Sequence, residues 1–262
     1  MATHNSNLAT YNLHGLNNGK SGLVDLCSNP ETVLVAVQEH WLTPNNLNDL
    51  NNIHPDFVGI GVSAMSDRLC SGIYRGRPFG GVGFLWRKTF SHRFCIGRKD
   101  RSGRCMSLKM TLDSGHIINI VTVYFPCFSS SAEYSAELTE CLSFVEDICN
   151  DGHDVIVLGD MNFECRLSNA GFRLCESMLS TYGVHHCDDF VAENQPLTCC
   201  SEHLNQCSFI DHMFVSDSLR QFILMLRLLT LELTLVIIGH LCIPCSYYLH
   251  LLFLLDISIS KL

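Results

Sequence analysis

Three acidic side chains of this 262-residue sequence stand where apolar, strand-like segments end: Glu39, Asp160 and Asp211. Carboxylates next to buried strands are costly unless they are paired or bound to a metal ion. Two amides, Asn12 and Asn162, stand close to such positions as well. A set of carboxylate and amide oxygens suits Mg²⁺ or Mn²⁺. The reaction that fits such a set is hydrolysis of a phosphodiester, with one carboxylate holding the ion and another orienting the attacking water.

The elements that would position these side chains follow from hydrophobic patterning. Short β-branched runs and alternating segments predict strands. Apolar residues at helical spacing predict a helix over Leu138–Cys149, which Asn150–Gly152 ends. Ser130 and Glu133 form a possible capping box in front of this helix. The order of elements is mixed, in one domain without internal repeats. The predicted strands are Thr32–Val37, Gly81–Trp86, Met106–Leu112, Ile117–Phe125, Asp154–Leu158 and Ser208–Val215.

Composition narrows the class of protein. Apolar residues make up 47% of the chain, enough for a core, which excludes disorder and coiled coil. The fifteen cysteines are odd in number and irregularly spaced, which argues against a disulfide scaffold. The N-terminal residues show no apolar signal segment. We therefore expect a reduced, intracellular protein with mostly free, buried thiols.

Charge is unevenly distributed along the chain. The net charge is −9, yet the basic stripe (Arg68–Lys109) contains eleven Lys or Arg and a single acid, Asp100. Such a stripe is typical of a surface that contacts a phosphate backbone, and the alternative is a solvated loop region that balances acids elsewhere. Within it, Arg98–Arg104 is either a hairpin turn or a contact to the DNA backbone.

Six short motifs occur in sequence along the chain: Tyr11–Gly15, Gln38–Trp41, Gly80–Gly83, Val123–Pro126, Gly159–Asn162 and Ser208–His212. Together they resemble the endonuclease/exonuclease/phosphatase superfamily, which includes deoxyribonuclease I and the apurinic/apyrimidinic endonucleases, and within it the endonuclease domain of non-LTR (LINE-type) retrotransposons. The resemblance covers about residues 8–220, so that residues 1–223 are expected to form this domain.

The resemblance implies an α+β fold, a four-layer α/β/β/α sandwich of two packed mixed sheets flanked by helices. It implies Glu39 as the principal metal ligand, assisted by Asn12. It implies a phosphate or nucleophile contact for Tyr124, activation of water by Asp160, and stabilisation of the pentacovalent phosphate by Asn162. Asp211 would orient a catalytic histidine.

The same resemblance implies DNA as substrate, nicked to leave a 3′-hydroxyl that primes reverse transcription. We expect Ser208, Arg101 and Arg104 to contact DNA, Mg²⁺ or Mn²⁺ as the only cofactor, and a nuclear location. Other members of the superfamily cleave inositol phosphates, sphingomyelin or poly(A). The basic stripe favours nucleic acid over these substrates.

One part of the family pattern is missing. Members end their active site with Ser-Asp-His, and no such triplet occurs here. His212 is a poor substitute because neighbouring strand residues point to opposite faces of a sheet. His240 lies near the expected position but lacks the preceding Ser-Asp. We therefore expect a chain that binds metal but is poorly active and poorly stable.

The apolar tail (residues 224–262) differs from the rest of the chain, because fourteen of its residues are Leu. Synonymous codons for Leu228–His240, read in a shifted frame, can spell Leu-Ser-Asp-His-Trp-Pro. We therefore hypothesise a frameshift near residues 224–228, with the native triplet encoded over Leu235–Ile238 and the last strand of one sheet lost. The alternative is a membrane anchor, since Leu233–Leu255 is long enough to span a bilayer.

A further alternative is a zinc-binding module formed by Cys199, Cys200, His203 and Cys207, although this spacing matches no standard zinc site. Trp41, two residues after Glu39, is expected to pack under the site rather than to read a base.

Overall fold

The computed structural model describes residues 6–66, 69, 76–127, 129, 131–164, 169–187, 199–201, 206–220, 223–229 and 252–257. In these ranges the chain forms two large mixed sheets and a small hairpin. Eight of the cysteines that the structure describes are free thiols, and six of these eight are buried, as the composition predicts for this part of the chain.

The first sheet has six strands. They are β1 (Ser6–Asn12), β2 (Thr32–Gln38), β3 (Phe57–Val62), β4 (Val82–Arg87), β13 (Ile223–Leu229) and β14 (Leu252–Ile257). Their order across the sheet is β13-β14-β1-β2-β4-β3. β1 and β2 are parallel, so their carboxyl ends meet at one edge, with Asn12 in register with Gln38.

The second sheet also has six strands. They are β5 (Phe94–Lys99), β6 (Cys105–Thr111), β7 (Ile117–Tyr124), β8 (Asp154–Asp160), β9 (Val184–His186) and β12 (Asp211–Ser216), in the order β5-β6-β7-β8-β12-β9. β7 and β8 are parallel, and Tyr124 is in register with Asp160. β10 (Cys199–Ser201) and β11 (Gln206–Ser208) form the separate hairpin.

Helices cover both outer faces of the paired sheets. They are α1 (Leu16–Ser28), α2 (Ala132–Cys149), α3 (Ala170–Ser180) and α4 (Asp217–Arg220), with 3-10 helices at Pro44–Asn52 and Lys88–Arg93. The apolar face of α1 packs on β1 and β2, whereas α2 and α3 pack on the second sheet. A third cluster, including Phe84, Met106 and Ile120, fills the space between the sheets. This confirms the four-layer α/β/β/α sandwich.

A buried polar network ties the two sheets together near the ends of β2 and β7. Gln38 Nε2 donates to Thr10 Oγ1 at 2.9 Å and to Thr122 Oγ1 of the other sheet at 2.8 Å. Since unpaired polar groups in a core cost about 1–3 kcal/mol each, this network favours one relative placement of the sheets.

Two local predictions are corrected by the structure. The cap of α2 is Ser131, whose side chain accepts a hydrogen bond from the Tyr134 amide, so the predicted capping role of Ser130 is wrong. The predicted strand Ser208–Val215 is interrupted, because β11 ends at Ser208 and β12 begins at Asp211. At this break the Phe209 amide donates to Glu164 Oε1 at 3.2 Å instead of to a neighbouring strand.

The tail contributes two strands to the first sheet. β14 pairs antiparallel with β1, and β13 pairs with β14, so the tail occupies this edge of the sheet, while the loss of the native last strand stays a prediction. The exposed backbone N–H and C=O groups at a sheet edge can pair with any extended segment, and an apolar run of residues can form such a segment. No helix in the described ranges is long and apolar enough to cross a bilayer. Most of the proposed membrane segment and His203 of the proposed zinc site lie outside those ranges.

Candidate active site

The strand ends bring the predicted side chains together at one edge of the sandwich. Asp160 ends β8, with Tyr124 opposite it on β7 and Asp211 opposite it on β12. Asn12 ends β1 in the other sheet, and its Nδ2 donates to Asp160 Oδ2 at 2.8 Å. A single hydrogen bond therefore joins residues 148 positions apart and links the two sheets at the site.

Glu39 lies on the first-sheet side of the site, directly after β2. Its Oε1 accepts a second hydrogen bond from Asn12 Nδ2 at 2.9 Å. Its Oε2 accepts one from Trp41 Nε1 at 3.1 Å. Glu39 is half-buried, so part of the residue remains accessible to solvent.

Asn162 lies on the other side of Asp160. Its backbone amide donates to Asp160 Oδ1 at 2.9 Å, which gives both oxygens of that carboxylate an N–H donor. The side-chain Nδ2 donates to the Phe125 carbonyl at 2.8 Å, and Oδ1 accepts from the Cys127 thiol at 3.4 Å. These bonds hold the amide of Asn162 at the mouth of the site.

The site accumulates negative charge in a buried place. Burial, followed by the nearby Asp211 and Glu39 carboxylates, raises the pKa of Asp160 well above its usual range, although its hydrogen bonds from Asn162 and Asn12 oppose the shift. Burial and the same Glu39 and Asp160 carboxylates raise the pKa of Tyr124 as well. A cation at this position would relieve the repulsion between the carboxylates.

Backbone strain is concentrated at the same place. In the described ranges, four residues other than glycine have positive φ angles: His14 (45°), Glu39 (50°), Trp41 (56°) and Asn162 (53°). Left-handed backbone at such residues typically costs about 1–3 kcal/mol and persists where the surroundings enforce it. All four adjoin the carboxylate cluster, which is typical of a functional site.

A small cleft of about 200 Å³ opens beside Tyr124 and is lined in part by Gly80, Arg101, Arg104 and Glu137. Arg104 forms an ion pair with Glu137 at 2.8 Å, and its guanidinium lies 5.6 Å from the centre of the Tyr124 ring. Arg104 is therefore held against the site by its neighbours.

The structure brings five of the predicted site residues together and leaves others at the periphery. Asn12, Glu39, Asp160 and Asn162 are joined by hydrogen bonds, and Asp211 adjoins Asp160. Tyr124 lies beside Asp160 across the sheet, and Arg101 and Arg104 line the cleft next to Tyr124. Ser208 ends β11, three residues before Asp211.

Part of the basic stripe is neutralised by acids in the described ranges. Arg93, Arg98, Arg104 and Lys109 form ion pairs with acids. Arg87 donates to backbone carbonyls, including those of Cys27 and Asn29. Net charge along the sequence therefore overstates the positive potential of this face. The segment Arg98–Arg104 includes a turn between β5 and β6, in which Asp100 accepts from the Gly103 amide at 2.8 Å.

The donor set suits a hard cation with few protein ligands. In the described ranges no group of three or more His, Cys, Asp or Glu side chains is arranged as a metal cage. Mg²⁺ typically keeps several waters and uses one or two carboxylates plus substrate phosphates. The accessible Glu39 carboxylate beside Asn12 fits that requirement, whereas a structural zinc site would need four closely placed ligands.

His212 does not face the site. Its ring is fully buried, its Nε2–H donates to the Phe163 carbonyl at 2.8 Å, and it stacks on the Phe163 ring at 5.7 Å. The prediction that it points away from Asp211 is confirmed. His14 lies nearer to the cluster, where burial lowers its pKa and the Glu39 charge opposes the shift.

Sequence reasoning missed two contacts at the site. Trp41 was expected only to pack, but its indole N–H bonds to Glu39. Its position two residues after an acid at a strand end is the signal that was available. Cys127, which contacts Asn162, follows the end of β7 without any pattern that marks it.

A four-layer sandwich with carboxylates and amides gathered at one end of its sheets defines the class of nucleases and phosphodiesterases with this fold. The chain belongs to the Endonuclease/Exonuclease/phosphatase family, whose model matches residues 9–222. A search of curated protein sequences found no match.

Solved structures share the fold at low sequence identity. A 3′ phosphatase NExo from Neisseria, bound to a product DNA hairpin, is 13% identical with a TM-score of 0.69, covering 96% of this chain and 99% of that chain. The endonuclease domain of TRAS1, a telomere-specific non-LTR retrotransposon, is 12% identical with a TM-score of 0.63, covering 96% and 98%. An AP endonuclease from Archaeoglobus fulgidus is also 12% identical with a TM-score of 0.63, covering 96% and 99%. At these identities the comparison establishes the fold.

Proposed function

We propose that this protein is a divalent-metal-dependent phosphodiester hydrolase that nicks DNA in the manner of a retrotransposon endonuclease. The observation that carries the proposal is the cluster of Asn12, Glu39, Asp160 and Asn162, which come from both sheets and are joined by hydrogen bonds of 2.8 to 2.9 Å. The cluster places repelling carboxylates in a buried site, a cost to stability that chemistry explains better than packing does.

Glu39 would hold the metal, with Asn12 fixing the direction of its carboxylate. When bound, Mg²⁺ or Mn²⁺ supplies Lewis-acid stabilisation of the charge that develops on the phosphate. The hydrogen bonds from Asn12 and Trp41 leave each oxygen of Glu39 with a further lone pair for a ligand. These hydrogen bonds therefore hold the Glu39 carboxylate in place before the substrate binds.

Asp160 is the group that would orient and deprotonate the attacking water. Its raised pKa makes it a better base than an exposed carboxylate, and Asn12 and Asn162 fix both of its oxygens. The raised pKa of Tyr124 keeps its hydroxyl protonated, so that it can donate to a phosphate oxygen. The amide of Asn162 would donate to the same phosphate group.

DNA as substrate is supported by the cleft beside Tyr124 and by the neighbours. Arg101 is exposed on the turn at that cleft, and Arg104 is held next to Tyr124, so both are placed to meet phosphates that flank the cleaved bond. Two of the structural neighbours are named for work on DNA, a phosphatase with bound DNA and an AP endonuclease. A nuclear location stays a prediction.

Turnover is expected to be slow. The family's terminal histidine, which Asp211 would orient, is missing from the described part of the site, and the Ser-Asp-His triplet is absent from the sequence. Loss of one member of a catalytic constellation leaves residual catalysis by the remaining groups. The protein should therefore bind metal normally but cleave DNA weakly.

The test is conversion of supercoiled plasmid to the nicked form with Mg²⁺, with Mn²⁺ and with EDTA. We expect slow metal-dependent nicking by the full chain and its loss in Glu39→Ala and Asp160→Ala. Asp154→Ala is the matched control, since Asp154 begins the same strand that Asp160 ends, and it should nick at the wild-type rate. Metal-dependent nicking that is equal in wild type and Glu39→Ala, or absent from both, would contradict the proposal.

A further inference from the structure

Trp41 contacts the proposed metal ligand in a directed way. Its Nε1–H donates to Glu39 Oε2 at 3.1 Å, while Asn12 Nδ2 donates to Oε1 at 2.9 Å. Two N–H donors, one on each oxygen, fix both the position and the plane of the carboxylate. A glutamate side chain at a cleft is otherwise free to rotate, so this arrangement removes entropy before any ligand binds.

The indole itself is held on several sides. A Cβ atom at Gly15 would lie only 2.4 Å from Trp41 Cε3, so the ring packs directly on the glycine backbone. The His14 ring meets it edge-on at 4.7 Å, and the Arg77 guanidinium lies 4.1 Å over the indole. The Trp41 amide also donates to the Gly80 carbonyl at 2.9 Å. Rotation of the indole would break these contacts together.

We propose that Trp41 is a positioning residue, whose indole N–H orients Glu39 for the divalent cation. Arg77, whose guanidinium lies over the ring, holds the indole in place. This inference rests on the proposed function, because it assumes that Glu39 binds the metal. A purely packing role for the ring would not require its N–H to point at a carboxylate. Both Glu39 and Trp41 have left-handed backbone, with φ angles of 50° and 56°.

The decisive variant is Trp41→Phe, which keeps an aromatic ring on Gly15 but removes the N–H donor. Partners that orient a metal ligand typically change metal affinity by about 10-fold to 100-fold when they are removed. We expect Trp41→Phe in the full chain to weaken Mn²⁺ and Mg²⁺ binding, measured by calorimetry, by about 10-fold. The apparent Mg²⁺ requirement for nicking should rise in parallel, while the rate at saturating Mg²⁺ is largely recovered.

Trp86→Phe is the matched control. Its indole Nε1 also donates a hydrogen bond, to Ser91 Oγ at 3.2 Å, but at the end of β4 away from the site. This variant should lose stability, because Trp86 is buried, and keep wild-type metal affinity. Since the chain has two Trp, Trp86→Phe also leaves Trp41 as the only indole, and its fluorescence should change when Mg²⁺ binds.

A second variant keeps the test decisive if Trp41→Phe does not fold. Arg77→Gln changes an exposed side chain and removes the cation over the indole, and we expect it to weaken Mg²⁺ binding by about twofold to fivefold. The positioning role is overturned if Trp41→Phe binds Mg²⁺ with wild-type affinity. If Trp41→Phe does not fold, wild-type Mg²⁺ affinity in Arg77→Gln overturns it. If Glu39→Ala binds Mg²⁺ as tightly as wild type, the proposed metal site fails instead, and the two failures are distinguishable.

Discussion

Asp160 is the residue at which folding and chemistry oppose each other. It is almost fully buried, it faces two other carboxylates, and its hydrogen bonds from Asn12 and Asn162 only partly offset the cost. The charge that would activate water is therefore also a source of instability in the metal-free protein. Functional sites commonly contain such groups, because the chemistry needs them where the fold does not.

Asp160→Asn should therefore stabilise the metal-free protein at pH 7, on the order of 1 kcal/mol, because it removes a repelled buried charge. The same variant should not nick DNA. Urea unfolding in EDTA measures the first effect. Asp154→Asn on the same strand is the control, and it should be neutral or destabilising because it loses the 2.7 Å pair with His116. If the difference in unfolding free energy between Asp160→Asn and wild type does not grow from about pH 4 to about pH 7, the carboxylate cluster is not repulsive.

At the scale of elements, the loop after β2 depends on a neutral histidine. His40 is buried, its Nε2–H donates to the Val62 carbonyl at 2.9 Å, and its Nδ1 accepts from the Leu42 amide at 2.9 Å. Burial lowers the pKa of His40 to about 4, although the carbonyl contacts oppose the shift. The ring therefore joins β2 to β3 only in its neutral form, in which Nδ1 can accept.

This pKa gives a pH dependence with a definite sign. Between pH 6.5 and about 4 the unfolded chain binds a proton at His40 and the folded chain does not, so stability is present above pH 6.5 and is lost as pH falls toward 4. The loss should reach about 3 kcal/mol over that window. Unfolding free energies of wild type and His40→Gln at several pH values test this. Equal slopes in the two proteins would contradict it.

Sequence patterns located several buried strands well but missed the buried strand β1 and the edge strands β3 and β5. Thr32–Val37 and Asp154–Leu158 are continuous apolar runs, because both faces of β2 and β8 are covered, and each was located within about two residues. β5 was not predicted, since it is an edge strand with mostly half-exposed or exposed residues. The convergence of Asn12 with Asp160 could not come from local patterns, because it depends on the packing of two sheets, and the family resemblance supplied it.

At the scale of the whole molecule, the apolar tail supplies strands to the edge of the first sheet. β14 pairs with the edge of β1, so residues 252–257 take the position of a closing strand whether or not a frameshift produced them. The frameshift stays a prediction. Coding DNA downstream of residue 220 tests it directly, because an alternate frame without Ser-Asp-His over Leu235–Ile238 would exclude it.

Deletion of residues 221–262 should expose the edge of β1 and reduce both solubility and thermal stability, since an unpaired strand next to the core invites intermolecular pairing. Deletion of residues 258–262 alone is the control, because it leaves β13 and β14 in place. Sedimentation and thermal unfolding compare the three chains. A longer deletion that is as soluble and as stable as the full chain would show that these strands do not support the sheet.

In the proposed function, side chains from both sheets form one metal centre at Glu39. Anomalous diffraction from crystals soaked in Mn²⁺ tests it most directly. We expect one strong peak within coordination distance of the Glu39 carboxylate, between the ends of β2 and β8, and its loss in Glu39→Ala crystals. A strong Mn²⁺ peak elsewhere, or no peak at Glu39 at saturating Mn²⁺, would contradict the account.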